Sequence, residues 1–420
     1  MSDRIEATYR IETPHPIEGA TEAMAGEQSS GTFIDVPGET DALRERHGAR
    51  VESVQPLESV EEPTLPGSSP PDGDDSETYQ RARVTLSFPY ENVGPSIQNL
   101  LTTVAGNLFE LRHFSGLRLL DLEIPEAISA AYPGPSFGIE GTRELLDVRD
   151  RPIIGTIIKP SVGLTPEETA EAVDEMVEAE LDFIKDDELI ADPPYSPIED
   201  RVAAVMDVID DYEKDVMYAC NVTGDVTEML ERHDRIKEAG GNCVMVSLNS
   251  VGLSGVVALR KEADLPIHGH RNGWGALSRC PQLGFDYEAY QQFFRLAGVD
   301  HLHINGVRNK FCESDESVIS SARKCQTPIV SESDTVMPVF SSGQWAGQAP
   351  DTYEALGNAD LMYLCGGGIM GHPDGPAAGV EHLKQGWDAA IRGIPLETYA
   401  EDHEELRRAI EHFGPVGSGR

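Results

Sequence analysis

From residue 150 onward the chain repeats one pattern, a short apolar segment followed by a stretch with helical spacing. The apolar segments are IIGTIIK at 153–159, LDFIK at 181–185, VMYACN at 216–221, CVMVS at 243–247, LPIHGH at 265–270, DHLHI at 300–304, VMPVFSS at 336–342 and DLMYLC at 360–365. Helices are predicted between them at PEETAEAVDEMVEA, DVTEMLERHDRIKEAG and DYEAYQQFFRLAG, and the second ends in Gly-Gly, a common stop signal. Strands that lead through helices into parallel neighbours build an α/β fold, and eight such units predict a closed (β/α)8 TIM barrel. A doubly wound open sheet is the structural rival, but it rarely needs so many regular units. The unusual polar residues cluster at the C-terminal ends of the segments, where barrel enzymes place their active sites.

The first 135 residues lack this repeat. ATYRIET and RARVTLSFPY alternate as strands do, and SIQNLLTTVAGNLF has helical spacing, so an N-terminal α+β domain of ferredoxin-like type is expected over 1–135. Between them EEPTLPGSSPPDGDDSETY is acidic and rich in Pro, Gly and Ser, which predicts a surface loop. The turn residues of PGPSFGIEG mark a junction, and the barrel is assigned to 136–420.

Charge narrows the partners. With 33 basic against 73 acidic residues the formal net charge is −40, the acids are spread along the whole chain, and only eight of the basic residues are lysines. Such a surface predicts adaptation to high salt, where screening relieves self-repulsion, and it excludes nucleic acid as a partner. The six cysteines (Cys220, Cys243, Cys280, Cys312, Cys325, Cys365) form no CxxC pair, so reduced thiols are expected rather than a zinc ribbon. MSDRIEATYRIETPHP has no apolar signal core, and no apolar run is long enough to span a bilayer. A soluble, cytoplasmic protein without a membrane partner is expected.

The sharpest chemical motif is FIKDDE at 183–188. Side chains alternate along a strand, so Lys185 and Asp187 share a face, Asp186 points the other way, and Glu188 opens the loop. Two carboxylates beside a lysine make a hard oxygen site only if the lysine is modified. A neutral amine can add CO2 to give a carbamate, and three anionic ligands with water and substrate oxygens complete an octahedral Mg²⁺ site. The plain alternative is a surface ion-pair run, against which the apolar flanks and the strand-end position both argue. Two more strand ends carry H-x-H pairs, His268 with His270 and His301 with His303, each pair on one face. Single barrel histidines are usually core residues; four in register predict the wall of a pocket. Arg271 offers a fork for phosphate or carboxylate, and the glycine-rich FSSGQWAGQ and CGGGIMGHPDG offer backbone N–H groups to an anion. Three of the eight lysines, Lys159, Lys185 and Lys310, fall at these same ends.

In order and spacing, GTIIKPSVGL, DFIKDDE, HGHR, HLHINGVRNK, FSSG and CGGGIMGHPDG resemble the RuBisCO large-subunit superfamily. EQSSGTF and GNLF carry the resemblance into the N-terminal domain, so it covers nearly the whole chain. Position by position, the resemblance implies that Lys159 moves the substrate's carbon proton and that Lys185 is a carbamylated ligand completing a Mg²⁺ site with Asp187 and Glu188. His270 would lie near the substrate oxygens at the metal. Arg271, His303 and Ser341 correspond to one anion site; Gly343, Gly366, Gly367 and Thr32 correspond to the other, with Lys310 on a mobile closing loop. Glu27, Thr32 and Asn107 would come from the N-terminal domain of a second subunit, which implies a homodimer or an assembly of such dimers.

Several positions depart from the carboxylases. Ser161 stands where they have a second lysine, Phe33 where the family has Trp, Trp274 where it has His, and Ser342 where it has Gly; GVRNKF replaces a small-residue loop. These changes preserve metal and enolate chemistry but weigh against CO2 fixation, and they resemble the RuBisCO-like proteins. Without a second ammonium beside it, Lys159 suits delivery of a proton more than its abstraction. HGHRNGWG and SSGQWAGQ resemble the group of 3-oxo-isoapionate-4-phosphate decarboxylases and related transcarboxylase/hydrolases. The expectation is therefore a Mg²⁺-dependent lyase that forms a metal-stabilised enediolate by decarboxylating a branched β-keto sugar-acid phosphate. Alternatives within the family are a C–C hydrolase on the same substrate, an enolase or isomerase of methylthio-ketose phosphates, and a ribulose-1,5-bisphosphate carboxylase. A zinc amidohydrolase also combines H-x-H pairs with a carbamylated lysine, but it opens its first strand with the pair and closes its eighth with Asp. Here those places hold Lys159 and Gly366, Gly367 and Gly368. A non-catalytic role would predict damaged ligands, and the Lys185, Asp187 and Glu188 set is intact.

Overall fold

The computed structural model describes residues 4–30, 36–71 and 78–414, so the expectations placed on Thr32 and Phe33 lie outside the described residues. In chain order the first strands are β1 (Arg4–Thr13), β2 (Arg50–Pro56), β3 (Gln80–Pro89) and β4 (Gly116–Glu123). There follow β5 (Ile153–Ile157), β6 (Phe183–Lys185), β7 (Met217–Asn221), β8 (Cys243–Ser247) and β9 (Ile267–His270). The last are β10 (Leu283–Phe285), β11 (His301–His303), β12 (Met337–Phe340) and β13 (Met362–Leu364). The chain divides into two compact units: 1–133 with 273–296 and 329–331, and 134–272 with 297–328 and 332–420.

The second unit is a closed parallel barrel in the order β11-β12-β13-β5-β6-β7-β8-β9. All eight apolar segments of the sequence fall on these strands. They read as continuous apolar runs because both faces are covered, as every residue of β7 and β8 is buried. Ile153, Phe183, Met217, Ala219, Cys243, Met245, Met337, Val339, Met362 and Leu364 pack into the interior together with Ile139 and Leu146 of the helix Gly138–Leu146. Register carries histidines into the same layers. His268 lies beside Met245 and His301, and His301 lies beside Met337.

The outer helices start and stop as their sequences dictate. In Pro166–Glu178 the Thr165 hydroxyl accepts from Glu168 N–H while the Glu168 carboxylate takes the Thr165 N–H, a reciprocal cap at the predicted start. The helix Val226–Glu238 ends before Gly240, whose φ of 85° a residue with a Cβ adopts only under strain.

The first unit has a mixed five-stranded sheet in the order β10-β4-β1-β3-β2, with β1 antiparallel to β3 and β4, and β10 parallel to β4. The first eight residues of β1 alternate: Ile5, Ala7, Tyr9 and Ile11 are buried while Arg4, Glu6, Thr8 and Arg10 on the other face are partly exposed. The helix Ile97–Val104 buries Ile97, Leu100 and Val104, and the Ser96 side chain caps it through Asn99 N–H. Among the described residues no helix is long and apolar enough to cross a membrane. All six cysteines are free thiols.

Candidate active site

The C-terminal ends of β5, β6, β9, β11, β12 and β13 hold most of the residues singled out in the sequence. At the end of β6 the backbone turns so that successive side chains leave in different directions. Asp186 goes into the wall, where Arg201 (3.1 Å), the Asn221 N–H (2.9 Å) and the Tyr218 hydroxyl all bond its carboxylate. Arg201 is fully buried; the Nη2 that bonds Asp186 also donates to the Ala191 carbonyl, and Nη1 donates to that of Ser196. The Asn221 side-chain amide donates to the carbonyls of Asp187 and Glu188, both at 3.4 Å. This network fixes the peptide that carries the two acids.

Lys185 and the two acids face the barrel mouth. The Lys185 ammonium donates to the carbonyl of Asp186 (2.7 Å) and sits 3.5 Å from Glu188. Burial holds the Lys185 amine below its ordinary value, against the opposing pull of Glu188, Asp187 and Asp186. Its side chain is 1% exposed, whereas that of its neighbour Glu188 is 32% exposed. Lys159, just past β5, donates to Asp187 at 2.6 Å and to Ser161 at 2.7 Å. Burial would raise the Asp187 carboxyl, but the hydrogen bonds from Lys159, Ser161 and Leu189 N–H outweigh it and hold it below the usual range.

The donor set fits a hard divalent cation on one condition. Among the described residues no group of three or more His, Cys, Asp and Glu side chains is gathered as a metal site. Asp187 and Glu188 supply two anionic oxygens, and a third can come from Lys185 if its amine adds CO2. The unprotonated amine is the form that reacts, and burial favours that form.

Three of the four histidines form a continuous chain through the barrel. His301 Nε2 lies 2.9 Å from the Thr142 hydroxyl, His301 Nδ1 3.3 Å from His268 Nδ1, His268 Nε2 2.8 Å from His303 Nε2, and His303 Nδ1 3.2 Å from the Ser341 hydroxyl. The proton positions follow from one end. Thr142 gives its hydroxyl proton to the Gly138 carbonyl, so it must accept from His301 Nε2–H. His301 Nδ1 then accepts from His268, His268 Nε2 accepts from His303, and His303 Nδ1 accepts from Ser341. Every ring is neutral, in agreement with burial, which lowers all of them and takes His301 to about 3. His270 stands apart from this chain, its ring 4.4 Å from that of His303 and its Nε2 3.6 Å from Glu188, and burial pushes it down to about 4.

A pH dependence of stability follows. The folded His301 value is about 3 against an ordinary 6.5, so below pH 6.5 the unfolded chain binds a proton that the folded one refuses. Stability is fully present above pH 6.5 and is lost as pH falls toward 3, at about 1.4 kcal/mol per pH unit from this one group. Unfolding free energies measured from pH 6.5 to 4 in high salt should fall more steeply than that, since His268, His270 and His303 are lowered as well, and His301→Gln should reduce the slope by about 1.4 kcal/mol per pH unit. An unchanged slope in the variant would rule out the neutral chain.

Arg271 follows β9 and bonds Glu313 from the segment after β11. Ser341 and Ser342 follow β12; Ser342 has a φ of 72°, the conformation that explains why glycine suits this place, and its hydroxyl donates to Asn305 at 2.8 Å. Gly343 is left-handed too, at 92°, and a Cβ added to it would stand 3.7 Å from the Lys310 Cβ. Lys310 N–H donates to the Ser342 carbonyl, which draws its loop to the end of β12. Gly366 and Gly367 open the short helix after β13, and a Cβ on Gly367 would meet nothing within 4 Å, so its backbone is open to a ligand. In the other unit Glu27 and Asn107 are both exposed, on segments joined by the Gln28 amide and the Ala105 carbonyl. Trp274, also there, is buried against Tyr287 and Tyr290.

Sequence reasoning missed Arg201, Asn221, Thr142 and Glu313. Asp186 was read as pointing away, and its buried direction called for a partner such as Arg201. Glu313 gave no signal. Two crevices, of about 260 and 500 Å³, are lined by Met217 and Asn242 and by Val148 and Arg151, at the opposite ends of the barrel strands.

The family model for the ribulose bisphosphate carboxylase large chain, catalytic domain, matches residues 138–413, and that for its N-terminal domain matches 2–128. A Rhizobium etli protein named 3-oxo-isoapionate-4-phosphate decarboxylase is 49% identical, over 97% of this chain and 98% of its own. A Xanthobacter autotrophicus protein named 3-oxo-isoapionate-4-phosphate transcarboxylase/hydrolase is 53% identical, over 98% and 99%. The crystal structure of a rubisco-like protein from Burkholderia fungorum superposes with a TM-score of 0.91 at 45% identity, over 97% of this chain and 99% of that one.

Proposed function

Because this chain belongs to the ribulose bisphosphate carboxylase large-chain family, we propose that it is a carbon–carbon lyase releasing CO2 from a branched β-keto sugar-acid phosphate of the 3-oxo-isoapionate 4-phosphate kind. The observation that carries this reading is Lys159, bonded to Asp187 with Ser161 in place of a second lysine, at the edge of the Lys185 and Glu188 pair.

When bound, a Mg²⁺ held by Asp187, Glu188 and a carbamate on Lys185 would polarise the substrate ketone. The bond between the α-carbon and the carboxylate breaks, its electron pair stays on the carbon framework, and CO2 departs. Lys159 then delivers a proton to that carbon, leaving a ketose phosphate, and regains its proton from solvent. Asp187 accepts the Lys159 hydrogen bond and so aims the ammonium. His270, kept neutral by burial, can hydrogen-bond a substrate oxygen without adding charge. Gly343, Gly366 and Gly367 supply backbone N–H groups for the phosphate, with Lys310 closing over it. A second copy of the chain is proposed to complete the site through Glu27, Thr32 and Asn107.

The test is 3-oxo-isoapionate 4-phosphate labelled at the carboxyl carbon, with Mg²⁺ and bicarbonate. Label should leave as CO2 together with a ketose phosphate, and Lys159→Gln should lower kcat about 10²- to 10⁴-fold. Label retained in a cleaved acid would assign C–C hydrolysis, the activity in the Xanthobacter relative's name, and overturn the proposal. Unchanged substrate, with turnover only of methylthioribulose phosphate or ribulose bisphosphate, would overturn it as well.

A further inference from the structure

The three side chains that correspond to one anion site, Arg271, His303 and Ser341, are already engaged by the protein itself. The Ser341 hydroxyl has two acceptors in reach, His303 Nδ1 at 3.2 Å and the Ser342 oxygen at 3.3 Å, and the His303 ring proton goes to His268. Neither has a proton left to give a phosphate oxygen. The Arg271 guanidinium is bonded by the Glu313 carboxylate, with the two side chains 6% and 13% exposed. Glu313 is not a passing surface acid. Its Oε2 also accepts from Asn305 Nδ2 at 2.7 Å, its Oε1 accepts from the Ser317 hydroxyl at 2.9 Å, and its carbonyl accepts from Asn309 at 3.2 Å. Asn305 is itself held by Ser342, next to Ser341. A dianion placed beside Arg271 would meet a fixed carboxylate of its own sign and two groups able only to accept.

We infer that Glu313 is a specificity-determining residue that closes this end of the site to a second phosphate. The site then takes a sugar with a single phosphate, bound on the Gly343, Gly366 and Gly367 side, and an uncharged hydroxylated end beside Arg271 and Ser341. An incoming hydroxyl can donate to the Ser341 oxygen or to Glu313, which a phosphate dianion cannot do. The inference rests on the proposed sugar-phosphate site but not on which bond is broken there.

Calorimetric titration of the Mg²⁺-loaded full chain with ribulose 5-phosphate and with ribulose 1,5-bisphosphate separates the possibilities. The wild type should bind the bisphosphate no more than about threefold tighter than the monophosphate, and Glu313→Gln should tighten the bisphosphate alone by about tenfold. Adding Arg271→Met should remove that gain. A wild type that already prefers the bisphosphate by about tenfold or more overturns the inference, whether or not the variant folds. So does a folded Glu313→Gln that changes both ligands equally or neither. Failure to release CO2, with the two affinities as expected, would sink the decarboxylase reading and leave this one standing.

Discussion

Lys185→Met is expected to lower kcat/KM for CO2 release by about 10⁴-fold while the protein folds normally. The amine is the only group placed to become a third anionic ligand beside Asp187 and Glu188, among the described residues. Methionine cannot add CO2, so the divalent cation loses a ligand and the developing negative charge loses its acceptor. Lewis-acid stabilisation of several kcal/mol is at stake, and about 5.5 kcal/mol corresponds to the stated factor. The effect on folding has the opposite sign. Lys185 is a buried cation whose own amine is held low by desolvation, and a thioether of similar length removes that cost. Asp187 keeps its bond from Lys159, and Glu188 is exposed enough to be solvated. Thermal unfolding should therefore stay level or rise. A melting transition that falls steeply would mean the activity loss is structural.

Arg201→Leu is expected to cost about 3 to 5 kcal/mol of stability, the range for breaking a buried ion pair from one side. Arg201 and Asp186 are both buried to within 1%, and removal of the guanidinium leaves a carboxylate with only the Tyr218 hydroxyl and the Asn221 N–H. The carbonyls of Ala191 and Ser196 lose a donor as well. Because Asp186 lies between Lys185 and Asp187, relaxation there moves the metal-ligand peptide. Metal affinity should fall along with stability. Asp186→Leu in the Arg201→Leu background should recover part of the loss, since it removes the unpaired charge. Denaturant unfolding of the two variants checks this. A loss under about 1 kcal/mol, or no recovery in the double variant, would show that the pair does not anchor the peptide.

The barrel was legible because its strands are short, apolar and regularly spaced, and because polar residues collect at one end of each. The helices Pro166–Glu178, Val226–Glu238 and Tyr287–Ala297 were legible from their spacing. The N-terminal unit was read less fully. β2 exposes nearly every side chain and has no apolar alternation to detect, and β4 buries four residues in a row. β10 is only three residues long, and it joins that unit's sheet from within the barrel sequence, which no local pattern announces. At the site, alternation correctly sent Lys185 and Asp186 in different directions. What sequence could not carry were partners distant along the chain. Thr142 meets His301 from a helix 159 residues earlier, and Glu313 meets Arg271 from 42 residues later. The histidines were taken as the wall of a pocket, but three of the four are buried core residues whose tautomers lock one another, and only His270 is partly exposed.

The carbamate on Lys185 is the point on which the lyase chemistry turns, and ¹³C NMR of the protein equilibrated with ¹³C-bicarbonate and Mg²⁺ observes it directly. One carbamate resonance per chain is expected, absent from Lys185→Met and retained in Lys159→Gln. An active wild type without that resonance, or a resonance that persists in Lys185→Met, would contradict the metal site drawn here.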